Sequence, residues 1–165
     1  MPQIILKINS SIDEIYTSDN ICSYLVGPEV PLDKLVEVSA TGKPVLMLDA
    51  TNTMADGSVV SIDSSLPIKA QIRPVREKIG TKKILGAIIE PSRHEAMLAS
   101  EVEPEFVAFR ITRDNIIKAY DVINWYNDLF LIQSAADISS EKVDIKDLTV
   151  DFVIINSQDY ADFSC

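Results

Sequence analysis

Glycine is scarce in this chain, with 5 residues among 165 where an average usage of about 7% would give roughly 11 to 12. Loops that wrap a phosphate in backbone N–H groups use glycine for positive φ and close approach, so the chain has little material for them. Cysteine is almost absent too. Cys22 and Cys165 lie far apart with no paired spacing, which excludes a disulfide framework or a zinc site and reads as the reduced thiols of a cytoplasmic protein. Positive charge is in deficit, with 15 Lys and Arg against 25 Asp and Glu and a net charge of -10. Without a basic surface there is little counterion release to drive nucleic-acid binding, so no nucleic-acid partner is expected. Long apolar runs are missing as well: no segment approaches the roughly 18 residues of a membrane span. The run from Ile4 to Leu6 has no basic stretch before it and is too short for a signal peptide.

What remains is a chain with a real core, 47% hydrophobic and 24% charged. No composition break, low-complexity segment or charge run marks a linker, so residues 1–165 read as one domain. Short apolar, β-branched runs recur at 4–8, 21–26, 45–48, 59–62, 84–89, 106–111, 130–132 and 152–155. Most are continuously apolar, the pattern of strands buried on both faces of a parallel sheet. Between them, Ile68, Ile72, Val75 and Ile79 share one helical face, and Ile116, Tyr120, Ile123 and Phe130 approximately continue another. Ser92 with Glu95 forms a capping box that opens a third helix through Ala96, Met97 and Ala99.

Alternating strands and helices predict βαβ units and an α/β fold: a compact (β/α)8 TIM-type barrel, with an open doubly wound sheet as the alternative. Eight units in 165 residues average about 21 residues, against roughly 250 residues for a typical whole barrel, so some outer helices must be short or missing. Residues 49–58 leave no room for a helix, and only 157–165 follow the eighth strand. Missing helices would bare apolar strand surface, and a homodimer is the expected cover.

Several strings then resemble one family. Ala55-Asp56-Gly57 before the fourth strand resembles the A-D-G-V-H string of thiamine-phosphate synthases. Ile84-Leu85-Gly86-Ala87 followed by Ser92-Arg93-His94-Glu95-Ala96 resembles their fifth strand and its helix. Phe106-Val107-Ala108-Phe109 resembles their sixth strand, and Asn124-Trp125-Tyr126 a helix of divergent members. The match runs from about Val45 onward and rests on the order of the strings. It implies a (β/α)8 barrel that joins a pyrimidine methyl diphosphate to a thiazole phosphate with Mg²⁺; a related branch acts as a thiazole tautomerase.

The residues that would hold a diphosphate have eroded. The Gln-x-Arg-x-Lys group is absent from Tyr24-Leu25-Val26-Gly27-Pro28-Glu29, and Glu29 stands where positive charge is needed. Asp49 matches a polar position, but Ala50 replaces a metal-binding aspartate, and Asp63 falls within one position of the second ligand. Ile88 aligns with a phosphate-binding serine unless Ser92 substitutes for it. Arg110 replaces a glycine, the Thr-x-Thr-Lys loop is missing, Ser134-Ala135 stands for a Gly-Gly pair, and Asn156-Ser157-Gln158 ends the eighth strand. The resemblance therefore implies a divergent member with weak or absent transferase activity. The alternatives are a non-catalytic barrel that binds a small anionic ligand or a protein partner, and a different small-molecule enzyme on the same scaffold.

Candidate residues follow from their place at strand ends, where barrel sites are built. Asp49 and Asp63 are a candidate pair for Mg²⁺, or else solvated loop caps. Arg110 and Arg113 flank the end of the sixth strand and offer forked bonds to a phosphate or carboxylate; Arg110 equally suits a pair with Glu90 or Asp137. Ser92, at a helix start, and Asn52, after the third strand, complete the candidate contacts to a small phosphorylated molecule. The one histidine, His94, sits in a first helical turn and reads as a surface residue, while Tyr120, Trp125 and Tyr126 read as packing.

Overall fold

The computed structural model describes residues 2–163, so Cys165 lies outside the described residues. Eight strands, β1 (Gln3–Ile8), β2 (Ile21–Val26), β3 (Val45–Leu48), β4 (Gly57–Ser61), β5 (Ile84–Ile89), β6 (Phe106–Arg110), β7 (Gln133–Asp137) and β8 (Phe152–Asn156), close in chain order into a barrel. Every pairing is parallel, and β8 returns to β1 with Ile4 opposite Val153 and Lys7 opposite Asn156. Closure excludes the open doubly wound sheet.

Side chains alternate across a barrel wall, and here both sides of the wall are apolar. Ile5, Leu25, Leu46, Val59, Ile88, Ala108, Ala135 and Ile154 fill the interior, with Phe106 below them. Ile4, Leu6, Ile8, Val45, Leu85, Val107, Phe109 and Val153 face outward under the helices and loops. Such double burial is why the strands read as unbroken apolar runs. Two glycines mark close approaches. A Cβ on Gly57 would lie 2.2 Å from the Ile84 carbonyl oxygen, and one on Gly86 would lie 2.3 Å from the Phe106 ring, which occupies that space.

Among the described residues four α-helices flank the barrel: α1 (Leu32–Ser39) after β2, α2 (Ile68–Ile79) after β4, α3 (Arg93–Ser100) after β5 and α4 (Ile116–Leu129) after β6. A 3-10 turn, Ser157–Asp162, follows β8. As the sequence predicts, no helix stands between β3 and β4; the β1–β2 and β7–β8 connections are irregular too. Among the described residues no helix is long and apolar enough to cross a membrane.

The seventh strand requires a correction. It runs through Gln133-Ser134-Ala135-Ala136-Asp137, not through 130–132. Phe130 caps α4 and stacks on Tyr126 with ring centroids 4.5 Å apart, while Leu131 is fully exposed. β7 lacks branched residues, but it is laddered to both β6 and β8, so neighbouring strands override its weak propensity.

The expectation of bare strand faces also fails, because loops take the place of the absent helices. Over β1 and β2, Tyr24 Oη donates to the Tyr16 carbonyl at 2.6 Å and Tyr16 packs against Tyr160. Beside β3, Asp56 Oδ2 accepts from Val45 N at 2.8 Å, and Ser58 Oγ donates to the Ala50 carbonyl at 2.9 Å. Over β7, Val143, Ile145, Leu148 and Val150 cover the wall, tied by Asn127 Nδ2 to the Thr149 carbonyl at 2.7 Å and by Tyr120 Oη to the Lys146 carbonyl at 2.6 Å.

Gly57→Ala should lower stability by about 1–3 kcal/mol, since its methyl meets strand backbone that has no rotamer to escape into. Chemical denaturation measures this, and an unchanged midpoint would show that β4 and β5 can separate at no cost.

Candidate functional site

One step beyond the middle interior layer, each strand places one inward position at the C-terminal mouth: Lys7, Gly27, Leu48, Ser61, Glu90, Arg110, Asp137 and Asn156. The ring is polar above an apolar plug, and Glu29 folds in toward it, its carboxylate 2.8 Å from where a Cβ on Gly27 would stand.

Arg110 is the organising cation on one side. Its Nη1 donates to Glu90 Oε1 at 2.8 Å and its Nη2 to Ser61 Oγ at 3.2 Å, so of its two predicted partners it takes Glu90. Asn115 fixes the exit of β6 by donating from Nδ2 to the Arg110 carbonyl at 3.0 Å and accepting from Thr112 N at 2.8 Å. Arg113 does not converge with Arg110. It is exposed, its backbone N–H donates to the Glu141 carboxylate and its Nε to the Lys142 carbonyl at 3.3 Å, which ties it to the β7–β8 loop.

On the other side a hydrogen-bonded chain surrounds Lys7. Lys7 Nζ lies 3.4 Å from Ser139 Oγ, which donates to Asp137 Oδ1 at 2.6 Å; Ser139 N donates to the same oxygen at 3.0 Å. Asn156 Nδ2 donates to the Ser139 carbonyl at 2.7 Å, and Asn9 Nδ2 donates to Asn156 Oδ1 at 2.9 Å. Asp137 is buried. Lys7 is half-buried and has no carboxylate within salt-bridge distance among the described residues.

The other predicted residues sit apart from this ring. Asp49 takes φ 52° and its Oδ1 accepts from Ser61 N at 2.7 Å, bracing the ends of β3 and β4. Asp63 Oδ1 accepts from Ser65 N at 2.9 Å and Ser65 Oγ at 2.6 Å, and these bonds hold its carboxyl below the ordinary value. Among the described residues no group of three or more His, Cys, Asp or Glu side chains is placed to hold a metal. Ser92 caps α3, accepting from Glu95 N at 3.3 Å, but the reciprocal half of the box is absent: Glu95 Oε1 is buried without a partner. Asn52 accepts from Met54 N at 2.9 Å and lines a cavity on the outer wall. His94 is exposed, whereas Tyr126 is buried against Phe109 and Phe130 with its hydroxyl 2.7 Å from Ser100 Oγ.

Lys7 and Ser139 escape a reading that looks for motifs, and Asn156 enters it only as the start of the Asn156-Ser157-Gln158 string. Their signal is parity: a lysine at the third inward position of Gln3-Ile4-Ile5-Leu6-Lys7-Ile8, in an otherwise apolar stretch.

No family model matches the chain, and no curated protein matches it. Solved structures do. A protein of Aquifex aeolicus VF5 superposes with a TM-score of 0.65 at 13% identity, over 94% of this chain and 83% of that one. Tryptophan synthase from M. tuberculosis, in an open form, superposes with a TM-score of 0.61 at 11% identity, again over 94% and 83%. At these identities the likeness is one of fold.

A double-mutant cycle on Arg110→Ala and Glu90→Ala should give a coupling of about 0.2–1 kcal/mol, because both side chains keep contact with water. A coupling above that range would mean that the pair is shielded in solution.

Proposed function

We propose that the chain binds a small molecule through one anionic group, a carboxylate or a phosphate monoester, at the C-terminal mouth of the barrel, with Lys7 as the cation that receives it. The observation that carries this reading is the state of the two mouth cations: Arg110 is already paired with Glu90, whereas Lys7 meets only a hydroxyl. A half-buried ammonium without a carboxylate favours an anion brought from solution, and charge-assisted bonds are the strong ones. Asp137 and Asn156, held by Ser139, supply acceptor and donor groups that orient the neutral part of the ligand.

The thiamine-phosphate-synthase resemblance enters this proposal as lineage, and it makes the thiazole phosphate the first compound to try. Diphosphate chemistry is left out on chemical grounds. It needs several cations or a metal to neutralise charge on the leaving group. Asp49 spends an oxygen on Ser61 N at the end of β4 and Asp63 one on Ser65, Arg110 spends its fork on Glu90 and Ser61, and Glu29 adds negative charge at the mouth. These residues do not fit Mg²⁺ with a diphosphate.

Thermal-shift titration with the thiazole phosphate should raise the melting temperature of the wild type, and Lys7→Met should weaken that affinity about tenfold or more. A parallel assay with the pyrimidine methyl diphosphate and Mg²⁺ should release no pyrophosphate. A shift retained in Lys7→Met refutes the mouth as the site, and released pyrophosphate reinstates the transferase.

A further inference from the structure

The charge of the chain is not evenly spread. Between Lys69 and Lys83 lie six of its 15 basic residues, with Glu77 as the single acidic one, so this stretch carries a net +5 within a chain of -10. It comprises α2 and the turn after it, which pack over β4 and β5 beside the helix-free β3–β4 connection. Two of the arginines and lysines are neutralised: Arg76 by Glu105 at 2.8 Å, and Lys69 by Glu101. Lys78 has no ion-pair partner among the described residues, and Lys83 Nζ donates only to the Thr53 carbonyl, at 3.3 Å.

These two lysines border a groove where an outer helix would otherwise lie. Its polar half, about 300 Å³, is lined by Thr51, Asn52, Thr53, Lys78, Ile79 and Lys83. The adjoining half, about 340 Å³, shares Thr51 and Lys78 and is walled by Ala50, Val60, Pro74 and Val75, with Asp49, whose Oδ1 is taken by Ser61 N, and Ser58 also in its lining. Pro74, inside α2, has no N–H, so its ring adds apolar surface to the wall of that half. Two ammonium groups, two hydroxyls and an amide at one end, with a mainly apolar trough at the other, suit a ligand with an anionic head and an apolar body.

We propose that this outer-wall groove is a binding site for a small organic phosphate monoester, its phosphate held by Lys78 and Lys83 with Thr51, Asn52 and Thr53, and its apolar body laid along Ala50, Val60, Pro74 and Val75. The site is separate from the mouth: Lys7 takes no part in it, so either reading can fail without the other. Each half of the groove falls at the low end of small-molecule pockets, and the net +5 of its flank concentrates anions that the rest of the surface repels.

Phenyl phosphate and inorganic phosphate serve as probes, titrated by calorimetry and by amide chemical-shift mapping on the full chain. Phenyl phosphate should bind saturably and more tightly than inorganic phosphate, with shifts at residues 50–53, 74–79 and 83. Lys78→Gln, at an exposed position that leaves the fold intact, should weaken it about tenfold, as expected for the loss of one charge-assisted contact. Lys82→Gln, which does not line the groove, and Lys7→Met should leave it unchanged. Equal weakening by Lys82→Gln would reduce the effect to general surface charge, equal affinity for both probes would remove the apolar trough, and absence of saturable binding would overturn the site altogether.

Discussion

Closing eight parallel strands into a barrel buries both faces of every strand, and this chain must meet that demand with four α-helices. Everything else about the molecule follows from how the shortfall is met. The interior needs little: one layer of branched aliphatics, alanines on β6 and β7, and a phenylalanine from below seated over Gly86. The exterior needs more, and the chain covers it with loops that carry their own apolar side chains and hydrogen bonds. Those loops hold by side-chain contacts to backbone carbonyls, from Tyr24, Tyr120, Asn127 and Ser58, because irregular backbone on a buried wall leaves carbonyls that must be paired.

The same economy shapes the electrostatics. At the mouth the charges nearly cancel, with Arg110 on Glu90 and Asp137 capped by Ser139, and Lys7 is the mouth cation without a carboxylate partner among the described residues. On the proposed reading a single anionic group suits this mouth better than a diphosphate, because each further negative charge would face Glu29, Glu90 and Asp137. No basic side chain stands in Leu25-Val26-Gly27-Pro28-Glu29 at the end of the second strand, and the fork of Arg110 is turned to Glu90, so the mouth gathers little positive charge.

Strand positions were readable because double burial writes itself as unbroken apolar runs, and seven of the eight runs fall on strands. β7 was hidden, because Ser134 and Ala136 are small where α4 and the β7–β8 loop press on the wall, Ala135 is small in the interior, and the apolar run 130–132, with fully exposed Leu131 at its centre, stood just before it. Helix α2 showed through its spacing, and α3 through Ser92, whose hydroxyl does cap it. The mouth was only half legible. Arg110 is visible as a charge at a strand end, but its commitment to Glu90 depends on β5 and β6 lying side by side, and the Lys7–Ser139 contact joins residues from opposite ends of the chain. The basic stretch from Lys69 to Lys83 was open to view in the sequence; what sequence cannot show is that a helix-free connection lies alongside it.

That last juxtaposition is a structural consequence of brevity. In a barrel with a helix after every strand, the wall over β4 beside α2 would be filled by the helix after β3. Here the β3–β4 loop, braced by Asp49 on Ser61 and Asp56 on Val45, passes over β3 and leaves a trough along α2. Deleting an element from the outer layer therefore does two things at once: it obliges the loop to bury β3, and it opens a concavity whose far side is the most basic helix of an acidic protein. The mouth, by contrast, is set by strand ends that closure fixes in any such barrel. The mouth therefore belongs to the fold, and the groove on the wall belongs to this chain.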